Sequence, residues 1–166
     1  MGYLWNEKIE TAGIEEMRSL QSQRLCSMVK RVYEHVPFYK KSMDECGVSP
    51  DDIKSVDDLE KLPFTKKTDL RDNYPYGLFA VPLEEVARIH ASSGTTGKQT
   101  VVGYTDADLD IWGECAARAI AAAGGTRKDI PPVSYGYRLF TGGPGLHAGG
   151  EKMKATVIPA SSGNTK

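Results

Sequence analysis

Cysteine is scarce in this chain and never paired. Cys26, Cys46 and Cys115 are the three present among 166 residues, an odd number with no two close in sequence. That spacing excludes a zinc knuckle and a redox pair. It suits small, buried or half-buried thiols in a reducing compartment. Long apolar runs are missing too, and nothing approaches the ~20 residues of a membrane helix. The first fourteen residues carry Glu7, Lys8 and Glu10 rather than the apolar stretch of a signal peptide. Together these absences predict a cytoplasmic protein with no membrane partner. A basic excess is also lacking: 21 Lys and Arg stand against 22 Asp and Glu, a net charge of −1. This argues against nucleic acid as a partner, though not against a bound nucleotide, which needs only a local site. The three histidines, His35, His90 and His147, have no metal-binding spacing. No Ser-His-Asp order can be argued. No metal ligand and no catalytic residue is therefore assigned.

What is present divides by texture. At 40% apolar residues the composition is ordinary for a chain with a core. Residues 1–85 are charged and helix-like, a helical N-terminal region. Residues 86–166, richer in glycine and β-branched residues, read as a partial α/β subdomain. No internal repeat occurs. A helix is predicted from Ile14 to Val36, where Met17, Leu20, Leu25, Met28, Val29, Val32 and Val36 keep a helical period. Pro37 stops it. A second, Phe38 to Glu45, ends near Gly47, which suits a left-handed cap. Ser49-Pro50 and Ser55-Val56-Asp57-Asp58 are start signals, the latter with Asp in place of the usual Glu. Thr65 opens a helix through Arg71, closed by the turn residues Asn73 to Gly77.

From Val86 the pattern becomes strand, loop, strand. Val86 to Ala91 and Thr100 to Tyr104 read as strands around the loop Ser92 to Lys98. A helix capped at Thr105 or Asp106 runs to Ala123 and ends at Gly124-Gly125. Val133 to Tyr137 reads as a strand, weakened by Pro131-Pro132. Gly142 to Lys154 reads as a helix, and Ala155 to Pro159 as a last strand. Alternating strands and helices predict the α/β class, here a partial open sheet after a helical region. Ending just beyond a strand, the chain is expected to be part of a larger, truncated fold.

Ser92-Ser93-Gly94-Thr95-Thr96-Gly97-Lys98 carries the clearest chemistry. Its glycines allow tight turns and exposed consecutive N–H groups. Its hydroxyls add donors and Lys98 adds a positive charge, a set suited to a polyphosphate. It is not a Walker loop, which needs glycine where Ser92 stands. Its flanks read as two strands, so the plain alternative is a flexible hairpin tip. A second cluster, Tyr135 to Gly143, sits at a predicted strand end, where open α/β sheets bind ligands. Its aromatic rings suit an apolar pocket, or ordinary packing. His90, just before the loop, and His147 are candidates for functional roles; His35 reads as structural.

These residues resemble the phenylacetate–CoA ligase family, within the adenylate-forming superfamily of acyl-CoA synthetases, luciferases and peptide-synthetase adenylation domains. The resemblance rests on Val36-Pro37-Phe38-Tyr39, Leu62-Pro63-Phe64-Thr65-Lys66, Asp69-Leu70-Arg71, Tyr74-Pro75-Tyr76-Gly77, His90 to Lys98, Tyr135 to Gly143 and Ser161 to Thr165, in the family's order. It implies a ligase joining ATP and an aryl acid into an acyl-adenylate, which coenzyme A then intercepts. By this resemblance Ser92, Ser93, Gly94, Thr95, Thr96, Gly97 and Lys98 hold the ATP phosphates with Mg2+. Tyr137, Phe140, Gly142 and Gly143 would line the pocket for a small-molecule aryl acid.

Five departures stand out against that pattern: Gln99 after Lys98 where proline is usual, Arg138 and Lys154 where glycine is usual, and also Pro131-Pro132 and Pro144. The family runs to well over twice this length. The adenine-gripping segment, the ribose-binding aspartate and the lid lysine have no counterpart here. The chain alone is therefore expected to be an inactive N-terminal portion. Two alternatives remain at this point. One is a non-catalytic anion-binding module that self-associates through an uncovered sheet edge. The other is a related ligase acting on a different acid, such as a deazaflavin coenzyme, which Arg138 keeps open.

Overall fold

The structure, a computed structural model, describes residues 3–92, 99–137, 139 and 141–161. In chain order the helices are α1 (Glu7–Glu10), α2 (Ile14–His35), α3 (Pro37–Glu45), α4 (Lys67–Asp72), α5 (Asp106–Ala122) and α6 (Gly142–Lys152). The strands β1 (Arg88–Ala91) and β2 (Val101–Tyr104) pair in a two-stranded sheet. Over their described residues, two compact units form. One draws on Met1–Glu10, Val86–Ser93 and Gly103–Lys166, the other on Thr11–Glu85 and Gly94–Val102.

The second of these units is helical, as its periodicity predicts. Proline at 37 forces Val36 into an extended conformation, φ −120° and ψ 103°, so α2 stops at His35. Val36 nonetheless keeps its N–H on the Val32 carbonyl at 2.9 Å and is 1% exposed. Pro37 then opens α3 as its first residue. Gly47, at φ +66°, closes α3: the Val48 N–H reaches the Met43 carbonyl and the Gly47 N–H that of Asp44, each at 3.0 Å. This turn folds Val48 back onto the core of Val29, Met43 and Ile53, joined by Leu25, Tyr33 and Leu62. Each such buried side chain contributes about 1.5–3 kcal/mol. Both serine start signals work, but on 3-10 turns, Pro50–Asp52 and Val56–Lys61. Asp58 accepts the Ser55 N–H at 3.1 Å, so aspartate serves where glutamate is usual. The helix expected from Thr65 begins two residues later, at Lys67.

The first unit holds β1, the end of β2 and the last two long helices. The Ala87 N–H bonds the Tyr104 carbonyl at 2.8 Å. The start of β1 thus meets the end of β2, the antiparallel arrangement of a hairpin. Thr105 caps α5: its hydroxyl accepts the Asp108 N–H at 3.2 Å, and Asp108 accepts the Thr105 N–H at 2.9 Å. α5 and α6 meet through small residues. A Cβ on Gly145 would stand 2.6 Å from Trp112 Nε1, and one on Gly149 2.6 Å from Ala116 Cβ. Ala117, Ala121 and Met153 are buried in this contact, with Trp5, Ile120 and Ala155 beside them.

Two expected strands do not form. Val133 to Tyr137 and Ala155 to Pro159 reduce to one parallel bridge between Pro132 and Ile158. The Val133 N–H gives to the Ile158 carbonyl at 2.8 Å, and the Ile158 N–H to that of Pro131 at 3.1 Å. Pro131 and Pro132 have no N–H to extend the ladder. The direction is still the parallel one of an open α/β sheet, within a mixed, mainly helical fold.

Candidate active site

Of the expected phosphate loop, Ser93 to Lys98 lie outside the described residues, as do Arg138 and Phe140 of the second cluster. Ser92 is described and exposed, directly after β1. The two strands expected to flank the loop are both present, each slightly shorter than predicted.

His90, two residues before Ser92, is 2% exposed. Its Nδ1 stands 3.0 Å from the Leu139 carbonyl, which also accepts the Ala91 N–H at 2.9 Å. A carbonyl only accepts, so Nδ1 carries a proton. Leu139, in the second cluster, is thus fastened to β1 by two bonds. The His90 ring meets Tyr104 and Trp112 edge-on, with centroids 5.6 and 5.3 Å away. Tyr104 and Trp112 stack on each other at 5.1 Å. The His90 Nε2 is buried without a hydrogen-bond partner among the described residues. Leaving such a group unpaired costs about 1–3 kcal/mol.

Two open cavities adjoin this cluster. One, about 470 Å³, is lined by Tyr104, Trp112, Ala116, Gly142 and Gly145. The other, about 510 Å³, is lined by Arg88, His90, Tyr137, Pro144, His147 and Glu151. The described pocket residues named from sequence therefore do not line one cavity. Tyr137 borders the second cavity and Gly142 the first. Gly143 is buried, and a Cβ there would stand 2.9 Å from the Gly136 carbonyl oxygen.

Tyr137 has partners the sequence reading did not name. Its hydroxyl lies 2.9 Å from His147 Nδ1, and His147 Nε2 lies 3.2 Å from Glu151 Oε1. Burial, and then the negative charge of Glu151, push the Tyr137 phenol above its usual range. His147 and Glu151 are four apart on α6, a spacing that places both on one helix face. That spacing was the signal available in sequence. Tyr104 and Trp112 had none, because their meeting depends on how β2 and α5 pack. Among the described residues no group of three or more His, Cys, Asp or Glu is placed to hold a metal, and no helix is long and apolar enough to cross a membrane.

Known proteins sharpen the assignment. No family model matches the chain. Its fold matches a 2-hydroxyisobutyryl-CoA ligase crystallised with 2-HIB-AMP and CoA, with TM-score 0.85 and 32% identity, over 93% of this chain and 34% of that one. The same ligase in its postadenylation state gives TM-score 0.82 at 30% identity, over 91% of this chain and 32% of that one. The fold is that of part of an adenylate-forming CoA ligase. By sequence, the chain matches part of a phenylacetate–CoA ligase. It is 58% identical to that of Aromatoleum evansii, over 96% of this chain and 36% of the relative. It is 56% identical to that of Escherichia coli, over 96% of this chain and 37% of the relative. The ligase of Thermus thermophilus is 55% identical, over 98% of this chain and 37% of the relative. The chain thus spans little more than a third of the curated relatives it matches.

Proposed function

We infer that the chain is the phosphate-gripping and acid-facing portion of an ATP-dependent phenylacetate–CoA ligase. The observation that carries this reading is the 55–58% identity to curated phenylacetate–CoA ligases over nearly the whole chain. In it, residues 86–166 hold the functional loop and pocket, and residues 1–85 form the helical region ahead of them.

The reaction has two steps. The acid carboxylate attacks the α-phosphate of ATP, giving acyl-adenylate and pyrophosphate. The CoA thiol then displaces AMP, giving the thioester. Ser92 to Lys98 act in the first step, where amides, hydroxyls and the Lys98 ammonium stabilise charge growing on pyrophosphate. Magnesium arrives with the nucleotide as MgATP, so no protein-held metal is required. Of the pocket residues expected from sequence, Tyr137 and Phe140 are the ones we assign to face the acid. Excluding water there protects the reactive anhydride from hydrolysis.

Acid-dependent exchange of pyrophosphate into ATP tests the assignment. The isolated chain is expected to show none. A full-length ligase carrying this segment is expected to show it with phenylacetate and to lose rate on Lys98→Ala. Exchange by the isolated chain, or unchanged kinetics in the Lys98 variant, contradicts this reading. A second reading, a self-associating module, is favoured by the exposure of Ile158 (49%) in the parallel bridge and of Ile130 (58%), two residues before Pro132. A concentration-independent monomer in light scattering would remove it.

A further inference from the structure

His90 stands where two candidate ligand regions adjoin. Its backbone belongs to β1, two residues before Ser92, the first residue of the expected phosphate loop. Its ring borders the cavity that Tyr137 lines. The rings it meets edge-on, Tyr104 and Trp112, line the other cavity with Gly142. Tyr104 also ends β2, the strand that follows the loop. Hydrogen bonds add direction to this packing. A backbone carbonyl has two lone pairs. At Leu139 the Ala91 N–H, at 2.9 Å, and the His90 Nδ1–H, at 3.0 Å, both bond that oxygen. Neighbours in β1 thus hold the carbonyl of the acid-facing segment from two directions. Ala91 is joined directly to Ser92, so a shift at Leu139 is passed to the start of the loop, and the reverse. Stability alone does not ask for histidine here. His90 is buried, and its Nε2 has no partner among the described residues, a cost that leucine would not carry.

We propose that His90 is a positioning residue that links the phosphate loop to the acid-facing segment, so that phenylacetate and the polyphosphate each bind more tightly when the other is in place. This rests on the reading of Ser92 to Lys98 and of Tyr137 as parts of the ATP and acid sites. A ligand that orders one end of the link lowers the ordering cost met by the second ligand. The effect is reciprocal, the same factor in either order of addition. His90 need touch neither ligand to produce it.

Calorimetric titration of magnesium pyrophosphate into the whole chain, without and with saturating phenylacetate, tests this. The acid should tighten pyrophosphate binding at least about fivefold, and pyrophosphate should tighten phenylacetate binding by the same factor. In His90→Leu both ligands should still bind, because Ala91 still holds Leu139, but the factor should fall to about one. His90→Asn, whose side-chain N–H can stand where Nδ1 does, should restore it. Should His90→Leu fail to fold, His90→Gln, whose N–H lies one bond further out, takes its place with the same expected loss. Nuclear magnetic resonance of labelled histidine should show a proton on His90 Nδ1 and a bare Nε2. No mutual tightening in the unaltered chain, tightening unchanged in the Leu or Gln variant, or a proton on Nε2 in place of Nδ1 overturns the link while leaving both binding sites standing. No binding of either ligand by the unaltered chain removes the sites themselves, and the link with them.

Discussion

Gly149 of α6 lies so close to Ala116 of α5 that a side-chain carbon at 149 would stand 2.6 Å from Ala116 Cβ and 2.9 Å from its carbonyl carbon. The obstacle includes backbone, so the helices would have to separate. Gly149→Val is expected to destabilise the fold by about 1–3 kcal/mol in urea denaturation. Gly13→Ala makes the control, because a Cβ there meets nothing within 4 Å. Equal stability of the two variants would show that this contact is not close packed.

Lys154 and Gly124 occupy the same place at the ends of α6 and α5. After α5, the Gly125 N–H reaches the Ile120 carbonyl at 2.9 Å; after α6, the Ala155 N–H reaches that of Gly150 at 3.0 Å. Both turns need a left-handed residue, and they have Gly124 at φ +93° and Lys154 at φ +58°. A lysine is strained there, whereas glycine is not. Lys154→Gly should raise stability by about 0.5–1 kcal/mol, net of the extra freedom glycine has when unfolded. An unchanged or lowered denaturation midpoint would contradict this.

Glu114 ties the N-terminal residues to α5. Its carboxylate accepts the Asn6 amide at 2.9 Å and the Trp5 indole N–H at 2.8 Å, with Arg118 at 3.3 Å. Those bonds, Asn6 first and then Trp5, hold its pKa below the ordinary carboxylate value. A lowered folded value contributes stability above the unfolded pKa of about 4.3, and the contribution is lost as pH falls through the folded value. Glu114→Gln should cost about 1 kcal/mol at pH 7. The gap from the unaltered chain should narrow as pH falls below the unfolded value. A gap independent of pH would show that the charge is idle.

Asp58 makes a similar case on the surface of the helical unit. The Lys61 ammonium at 2.7 Å, then the Lys54 and Ser55 amides, lower its pKa to about 2. Its contribution should be complete above about pH 4 and fade as pH falls toward 2. A carbon-detected titration of Asp58 that gave an ordinary aspartate value would contradict the capping geometry.

Local signals carried much of the fold. Pro37 and Gly47 bracket α3 because each dictates backbone angles at its own position. Thr105 and Ser55 mark helix starts by bonds three residues long. The strand expected at Val133 failed because pairing depends on partners far along the chain, and two prolines removed the donors such pairing needs. In the site, the strands that flank the loop were legible from composition and order. The chain Tyr137–His147–Glu151 was half legible, since His147 and Glu151 share a helix face. That Tyr137 completes it depends on how the 131–137 segment lies against α6. The division of Tyr137 and Gly142 between two cavities had no sequence signal, because it follows from the packing of Trp112 against Gly145.

Calorimetric titration of magnesium pyrophosphate into the chain, beside its Lys98→Ala variant, bears most directly on the loop from Ser92 to Lys98. Saturable binding that weakens about tenfold or more in the variant, a loss of ~1.4 kcal/mol, with unchanged helix content, is the predicted result. Equal affinity in the two proteins, or no binding by either, would contradict it.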